Sequence, residues 1–133
     1  KLGDDGYAEG WGLYCENLGD YKDDYDYYYK LQYEILRSLR LVIDPGIHYY
    51  GWDYQKCFDV SKKYLTNHTD EEIDKTILRY MNMPGQAITY KLGEKAFLYI
   101  REKLLKTGFN IKDIHEIMLE SGPCPLEMFV NLV

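Results

Sequence analysis

Apolar residues recur along this chain at spacings of three and four residues, the period of an α-helix, and the alternation typical of strands is rare. The first amphipathic stretch carries an apolar line at Tyr7, Trp11, Tyr14 and Leu18. Glu9 and Glu16 lie seven residues apart and therefore share another face of the same helix. We predict a core helix that ends near Gly19, with glutamates that are either solvated or functional.

Two glycines, Gly10 and Gly12, interrupt this first helix. Each lowers helix propensity by about 1 kcal/mol relative to alanine, so their presence needs a compensating reason. The usual reason is the close approach of another backbone or of a ligand. The pattern therefore indicates that something packs closely beside Glu9.

The second predicted helix is long and runs from Asp23 to Ile43. Its apolar line consists of Tyr28, Leu31, Ile35, Leu39 and Val42. We expect it to end at Asp44-Pro45-Gly46, because the residue before a proline is pushed out of the α region. A short loop then carries His48. A histidine in a loop between helices is well placed for chemistry, although most lone histidines are structural.

A polar line follows the same helix at Tyr33, Arg37, Arg40 and Asp44. Two guanidinium groups on one face can clamp a carboxylate, because guanidinium pairs with carboxylate in a fork. A solvated helix face explains the same pattern equally simply. Both interpretations stay open at this point.

Capping signals divide the rest of the chain into five more helices. They are predicted to start at Asp53, Thr69, Pro84, Asn110 and Pro125. The helix that opens at Pro84 is predicted to run to about Thr107, with Gln86 and Tyr90 on one face. We predict an all-α fold of about seven helices with short loops, in a single domain or lobe over residues 1–133.

Composition excludes some classes of partner. The 133 residues suit one domain, and a formal net charge of −6 argues against nucleic acid or an anionic membrane as a partner. Signal-like and membrane-spanning runs are absent from the sequence, and Cys15, Cys57 and Cys124 form no CxxC pair. We therefore expect free thiols and a cytoplasmic location. Because the chain begins at Lys1, we expect a piece of a longer protein.

Four stretches in order resemble the family catalogued as domain of unknown function 885. They are YAEGWGLYCE at 7–16, RSLRLVIDPGIHYYGW at 37–52, PGQAITYKLG at 84–93, and His115 with Gly122 and Pro125-Leu126. They cover nearly the whole chain with consistent spacing. Members of that family resemble zinc metallopeptidases of the HExxH kind. The resemblance therefore implies the C-terminal lobe of a larger helical, metallopeptidase-like fold.

The resemblance also implies roles for particular residues. Glu9 stands where such peptidases take their third zinc ligand, from a helix downstream of HExxH, and Glu16 would support that ligand or pair with a cation. His48 and Tyr90 resemble the hydrogen-bond donors that stabilise the oxyanion of a hydrolysed amide. The candidates for substrate binding are Arg37, Arg40, Gln86 and Lys91.

One departure from the family pattern limits what this chain can do alone. It contains no HExxH motif, and its three histidines form no i, i+4 pair. Two zinc ligands and the general base would therefore come from the missing N-terminal half of the same protein, and this piece alone should be inactive. Pro45 replaces a common threonine and could shift the reach of His48.

The implied function of the whole protein is that of a zinc-dependent carboxypeptidase or dipeptidase that hydrolyses small peptides. The alternative is a non-catalytic helical module that binds a peptide or a partner protein without cleaving it. Exposed apolar surface and self-association would indicate a severed lobe, whereas a monodisperse monomer would favour the module.

Overall fold

The computed structural model describes the backbone of residues 2–133 and the side chains from Asp5 onward. Over this range it contains seven α-helices and no strand, so the predicted all-α fold is confirmed. The helices are α1 Leu2–Glu16, α2 Asp24–His48, α3 Tyr54–Tyr64, α4 Asp70–Asn82, α5 Thr89–Lys106, α6 Ile111–Glu120 and α7 Leu126–Val130. None of those helices is long and apolar enough to cross a membrane.

The helices divide into two compact units. Unit 1 comprises Lys1–Gly19 and Thr89–Val133, and it contains α1, α5, α6 and α7. Unit 2 comprises Asp20–Ile88 and contains α2, α3 and α4. Each unit has its own cluster of buried hydrophobic side chains. The single domain or lobe over residues 1–133 stays a prediction.

Aromatic rings fill the core of unit 1. The ring centroids of Phe97 and Phe129 lie 4.4 Å apart, and the ring of Tyr7 lies 5.2 Å from that of Phe97. The hydroxyl of Tyr7 donates a 2.8 Å hydrogen bond to the carbonyl of Met118. The core therefore buries large apolar area without leaving this hydroxyl unpaired.

Helices α1 and α5 approach so closely that their backbones touch. A methyl group built on Gly93 would lie 2.0 Å from the carbonyl oxygen of Gly6 and 2.6 Å from the Cα of Gly10. Only glycine permits such an approach. Gly10 is therefore required by the close approach of the α5 backbone. Gly12 is not required in this way, because a methyl group there would meet no atom within 4 Å.

The apolar line predicted for the first helix is correct except at its end. Tyr7 and Tyr14 are buried, and Trp11 is half-buried. Leu18 is 41% exposed, because α1 ends at Glu16 and the residue lies beyond the helix.

Helix α2 continues through Pro45 and ends at His48, so the predicted end at Asp44-Pro45-Gly46 is wrong. His48 is accordingly the last helical residue and not a loop residue. A proline inside a helix removes one hydrogen bond and crowds the preceding turn. Here the helix needs only three residues beyond it, and the N–H groups of Tyr49 and Tyr50 both donate to the Pro45 carbonyl at 2.9 and 3.0 Å.

Helix α5 begins at Thr89, so the predicted start at Pro84 is also wrong. The preceding residues form a turn in which Gly85 has a φ of +78°. That left-handed conformation suits glycine and cannot continue a right-handed helix. Gln86 therefore lies in the turn and does not share a helical face with Tyr90.

Three predicted helix starts are confirmed by their caps. The side chain of Asp53 caps α3, and that of Asn110 accepts a 3.0 Å hydrogen bond from the first turn of α6. Thr69 and Glu72 form the complete capping box at the start of α4, and the Thr69 N–H donates to Glu72 at 2.8 Å. These caps satisfy N–H groups that the helix itself leaves without acceptors.

Unit 2 has an aliphatic core but leaves much of α2 uncovered. Of the apolar line predicted along α2, Leu39 is buried, whereas Tyr28, Leu31, Ile35 and Val42 are 38–47% exposed. Four of these side chains, Leu31, Ile35, Leu39 and Val42, border a groove of about 590 Å³ between α2 and α3, which we call the α2–α3 groove. Its lining is mainly apolar and comprises Leu31, Glu34, Ile35, Ser38, Leu39, Val42, Val60 and Tyr64.

Candidate functional site

The last three turns of α2 present Arg40, Asp44 and His48 at intervals of four residues, which places them on one side of the helix. Tyr80 of α4 contacts two of them. The Nε of Arg40 donates to the Tyr80 hydroxyl at 3.3 Å, and the Nε2 of His48 donates to the Tyr80 carbonyl at 2.8 Å. We call these four residues, together with Gly85, the α2–α4 polar cluster.

Asp44 is the carboxylic acid of this cluster, and it is only 3% exposed. Both of its carboxylate oxygens accept the backbone N–H of Gly85, at 3.1 and 3.2 Å. Burial raises the pKa of Asp44 above the ordinary value of an aspartate, and the Gly85 N–H and the charge of His48 act in the opposite direction. Burial therefore favours the neutral carboxyl, and these two neighbours favour the carboxylate.

Tyr80 joins the cluster to the core of unit 2. It is 5% exposed, and burial raises the pKa of its phenol while Arg40 opposes the rise. Helical periodicity places Asp44 in the polar line of α2 and gives Tyr80 no role in a site. It does not reveal that the Tyr80 carbonyl and the buried Asp44 carboxylate would face His48.

The contact with Tyr80 determines which nitrogen of His48 carries a proton. A carbonyl oxygen can only accept, so Nε2 must be the donor. In the neutral ring Nδ1 is then a hydrogen-bond acceptor, and it can donate only in the imidazolium form. The side chain is exposed, and among the described residues no partner contacts Nδ1.

Arg37 and Gln86 also belong to unit 2. The guanidinium of Arg37 lies 5.3 Å from the ring centroid of Tyr33, close enough for a cation–π contact. The side-chain oxygen of Gln86 accepts a 3.2 Å hydrogen bond from Arg79. Four of the seven residues predicted for the site are therefore in unit 2: Arg37, Arg40, His48 and Gln86.

Unit 1 contains the other three predicted site residues, Glu9 on α1 and Tyr90 and Lys91 in the first turn of α5. Lys91 is 9% exposed, and its ammonium group donates to Glu94 at 2.5 Å. Glu94 is 3% exposed and also accepts a 2.5 Å hydrogen bond from Asn17. A substrate carboxylate would have to compete with this buried partner, which weakens Lys91 as a binding residue.

His115, which belongs to the fourth motif, lies against the core of unit 1. Its Nε2 is 2.7 Å from the hydroxyl of Tyr14, a fully buried residue. Burial raises the pKa of the Tyr14 phenol, and Arg101 opposes that rise. The pair satisfies a buried hydroxyl, which is a structural reason for both residues.

The described side chains do not form a zinc site by themselves. From Asp5 onward, no three histidine, cysteine, aspartate or glutamate side chains come close enough to hold a metal ion. Zinc sites in proteins use three or four such ligands, so half-buried Glu9 fits only as one ligand of a larger set. Gly10 beside it accommodates the backbone of α5, so it does not serve to admit a metal.

The seven helices place the chain among the all-α proteins. Over residues 2–133 the chain matches the family described as "Bacterial protein of unknown function (DUF885)", and it belongs to that family. No curated protein matches the chain.

A crystal structure provides a closely similar fold. It is described as that of "the putative lipoprotein from Colwellia psychrerythraea", and it matches this chain with a TM-score of 0.85 and 32% sequence identity. The match covers 96% of this chain. It covers 23% of the other protein, so this chain spans about a quarter of that relative's length.

Proposed function

We propose that this chain is the C-terminal part of a zinc-dependent peptidase of the carboxypeptidase or dipeptidase type, which hydrolyses small peptides. The observation that supports this best is the α2–α4 polar cluster. There Arg40 and the exposed His48 lie on one side of α2, and each is held by Tyr80. A cation and an imidazole fixed in this way can bind and orient a polar substrate.

Arg37 and Arg40 are the candidates for binding the carboxylate of a peptide. They lie three residues apart on α2, so their side chains emerge on the same side of the helix. A guanidinium group binds a carboxylate through two parallel hydrogen bonds, which would fix the end of a peptide. Gln86, which accepts from Arg79, would orient the peptide beside them.

His48 would contact the scissile amide, and its hydrogen bond to Tyr80 decides which ring nitrogen is left for the substrate. With Nε2 donating to the carbonyl, the neutral ring presents an acceptor that suits an N–H group of the substrate. Donation to an oxyanion requires the imidazolium form. Tyr90 is the second candidate donor. Lys91 is the weakest candidate for binding the substrate carboxylate, because Glu94 already engages its ammonium group.

Zinc bound in the whole protein would supply a Lewis acid and an activated water. Glu9 would contribute one ligand from α1, a helix held by the backbone contact with α5. The remaining ligands and the general base would belong to the N-terminal half of the same polypeptide. We expect no nucleic acid partner, because the net charge of −6 repels phosphate.

The α2–α3 groove favours a second candidate function, that of a non-catalytic module that binds a peptide or a partner protein. Exposed apolar side chains border it on α2, and Val60 and Tyr64 line it on α3. An apolar groove on a helical surface is a common docking place for an amphipathic helix.

The deciding experiment is a peptidase assay with metal analysis on the longest natural polypeptide that contains this chain. We expect zinc close to one equivalent and cleavage at a peptide end. Glu9→Gln should lower activity at least about 100-fold and reduce bound zinc, whereas Glu116→Gln on the exposed surface of α6 should change neither. Full activity in Glu9→Gln, or a parent without bound metal, would favour the binding module.

We propose a cytoplasmic location. The relative from Colwellia psychrerythraea is described as a "putative lipoprotein", and a covalent lipid would instead attach a protein to a membrane surface. Fractionation of cells that express the natural gene, followed by immunodetection, distinguishes the two locations. Signal in the membrane fraction would contradict the cytoplasmic proposal.

A further inference from the structure

We propose that Asp44 is the positioning residue of the α2–α4 polar cluster. It fixes the turn that follows α4 and thereby holds the Tyr80 carbonyl against His48. The inference rests on the proposed function only where it takes His48 to be a site residue. Asp44 thus acts through its neighbours in the cluster, without itself contacting a substrate.

The first observation in favour of this role is that burying the Asp44 carboxyl group costs free energy. A carboxyl group at 3% exposure is expensive to bury unless donors compensate it. Its sole hydrogen-bond donor among the described residues is the Gly85 N–H, which both oxygens share. Its neighbour Ile43 is fully buried in an aliphatic core, where an apolar residue would be more stable. The hydrogen bond to Gly85 therefore explains an aspartate at position 44 better than a gain in folding stability does.

The second support is the geometry of the turn that Asp44 holds. Pro84 has no N–H, so the N–H of Gly85 is the first donor available after Met83. Gly85 has a φ of +78°, and its N–H reaches back across to α2. Two further features hold the same turn. The Gln86 N–H donates a 3.2 Å hydrogen bond to the Met83 carbonyl, and the side chain of Ala87 is buried.

The third support is the pair of contacts that α2 makes with the end of α4. Asp44 holds the turn, and His48, one helical turn later, donates to the carbonyl of Tyr80 in the last turn of α4. That carbonyl also accepts the N–H of Met83 at 3.3 Å. Because Met83 joins Tyr80 to the turn, a turn that moves would carry the carbonyl away from His48.

Substitutions of Asp44 can distinguish the effect of its charge from the effect of its hydrogen bond to Gly85. The titratable groups that act on Asp44 are His48 on its own helix and Tyr80 on α4. An asparagine would keep an oxygen for the Gly85 N–H but remove the charge. An alanine would remove both, and a leucine would fill the volume without an acceptor.

The test is hydrogen exchange by NMR on the intact chain, comparing Asp44→Asn, Asp44→Ala and Asp44→Leu with the exposed control Asp59→Ala. The Gly85 amide and the His48 Nε2–H are the probes, and the Ile77 amide of α4 is the internal reference. In the alanine variant we expect both probes to exchange about 10-fold faster relative to Ile77, as for the loss of one hydrogen bond. Asparagine should restore the parental rates.

Asp44→Leu should accelerate exchange at both probes as Asp44→Ala does. It replaces the alanine variant in the comparison if that variant does not fold. Rates at Gly85 and His48 within about 2-fold of the parent in every variant would overturn the proposal. Acceleration of Ile77 by the same factor would overturn it too, because it would indicate global destabilisation. None of these measurements requires peptidase activity, so failure of the proposed function would leave them unaffected.

Discussion

Unit 1 combines an aromatic core with direct backbone contact between two helices, whereas unit 2 combines an aliphatic core with polar contacts at the ends of its helices. In unit 1 the crossing of α1 and α5 requires Gly10 and Gly93. In unit 2 the contacts of Asp44 and His48 fix the end of α4. The backbone crossing leaves unit 1 no room for added side-chain atoms there, whereas unit 2 leaves polar groups such as His48 exposed.

The largest expected effect is that of Gly93→Ala in unit 1. The new methyl group would lie 2.0 Å from a backbone oxygen and 2.6 Å from a backbone carbon, neither of which can move alone. We expect destabilisation above the roughly 3 kcal/mol of ordinary overpacking. Thermal and urea melts followed by circular dichroism measure it.

Gly12→Ala is the matched control on the same unit. Its methyl group would meet nothing within 4 Å, and alanine improves helix propensity by up to about 1 kcal/mol. We expect unchanged or slightly higher stability. Equal losses in the two variants would mean that the crossing of α1 and α5 is not what requires glycine at position 93.

The second prediction concerns the partly covered α2 of unit 2. Leu39→Ala removes a buried side chain and should cost about 2–3 kcal/mol, whereas Val42→Ala on the exposed line should cost less than about 0.5 kcal/mol. Urea titration of both variants measures the difference. A large loss in Val42→Ala would show that the α2–α3 groove is covered in solution, as by a second copy of the chain.

The third prediction is the loss of a helix cap in unit 2. Thr69→Ala removes the side chain that accepts the Glu72 N–H, and we expect a cost of about 1 kcal/mol. Thr69→Ser keeps the hydroxyl and should retain most of the stability. Chemical denaturation distinguishes these outcomes, and an alanine variant as stable as the parent would mean that the capping box contributes nothing measurable.

The smallest predicted effect is a pH dependence that originates at Asp44. Burial raises its pKa, so the folded state holds this proton more tightly than the unfolded state does. Its contribution to stability is present below the ordinary pKa of an aspartate and is lost as the pH rises through the raised value. Asp44→Asn should flatten that part of the stability curve, and urea melts at several pH values test it. An unchanged slope would contradict the prediction.

Helix starts could be predicted from the sequence where one local contact decides them. Asp53, Thr69 and Asn110 cap the helices that follow because their side chains reach N–H groups within three residues. The predicted end of α2 and the predicted start of α5 were wrong, because no single local contact decides where these helices end and begin. Helix α2 tolerates Pro45 because only three helical residues follow it. The turn at Gly85 depends on a contact with Asp44, which is distant in sequence.

The candidate site follows the same rule. The polar line along α2 indicated Arg37 and Arg40, because helical periodicity places them on one face. It could not reveal the hydrogen bond of His48 to Tyr80, which joins residues 32 positions apart. Nor could it reveal Glu94 as the partner of Lys91, because the same i, i+3 spacing also occurs between solvated charges. The roles of the seven predicted site residues stay predictions.

The chain order of the two units has a consequence for synthesis on the ribosome. Unit 2 is continuous from Asp20 to Ile88, so its three helices can meet as soon as that stretch has left the exit tunnel. Unit 1 is discontinuous, and α1 must wait for α5, which begins at Thr89. At roughly 5–20 residues per second, α1 spends several seconds without its partner. A nascent chain arrested before α5 would therefore expose the aromatic face of α1 to chaperones and proteases.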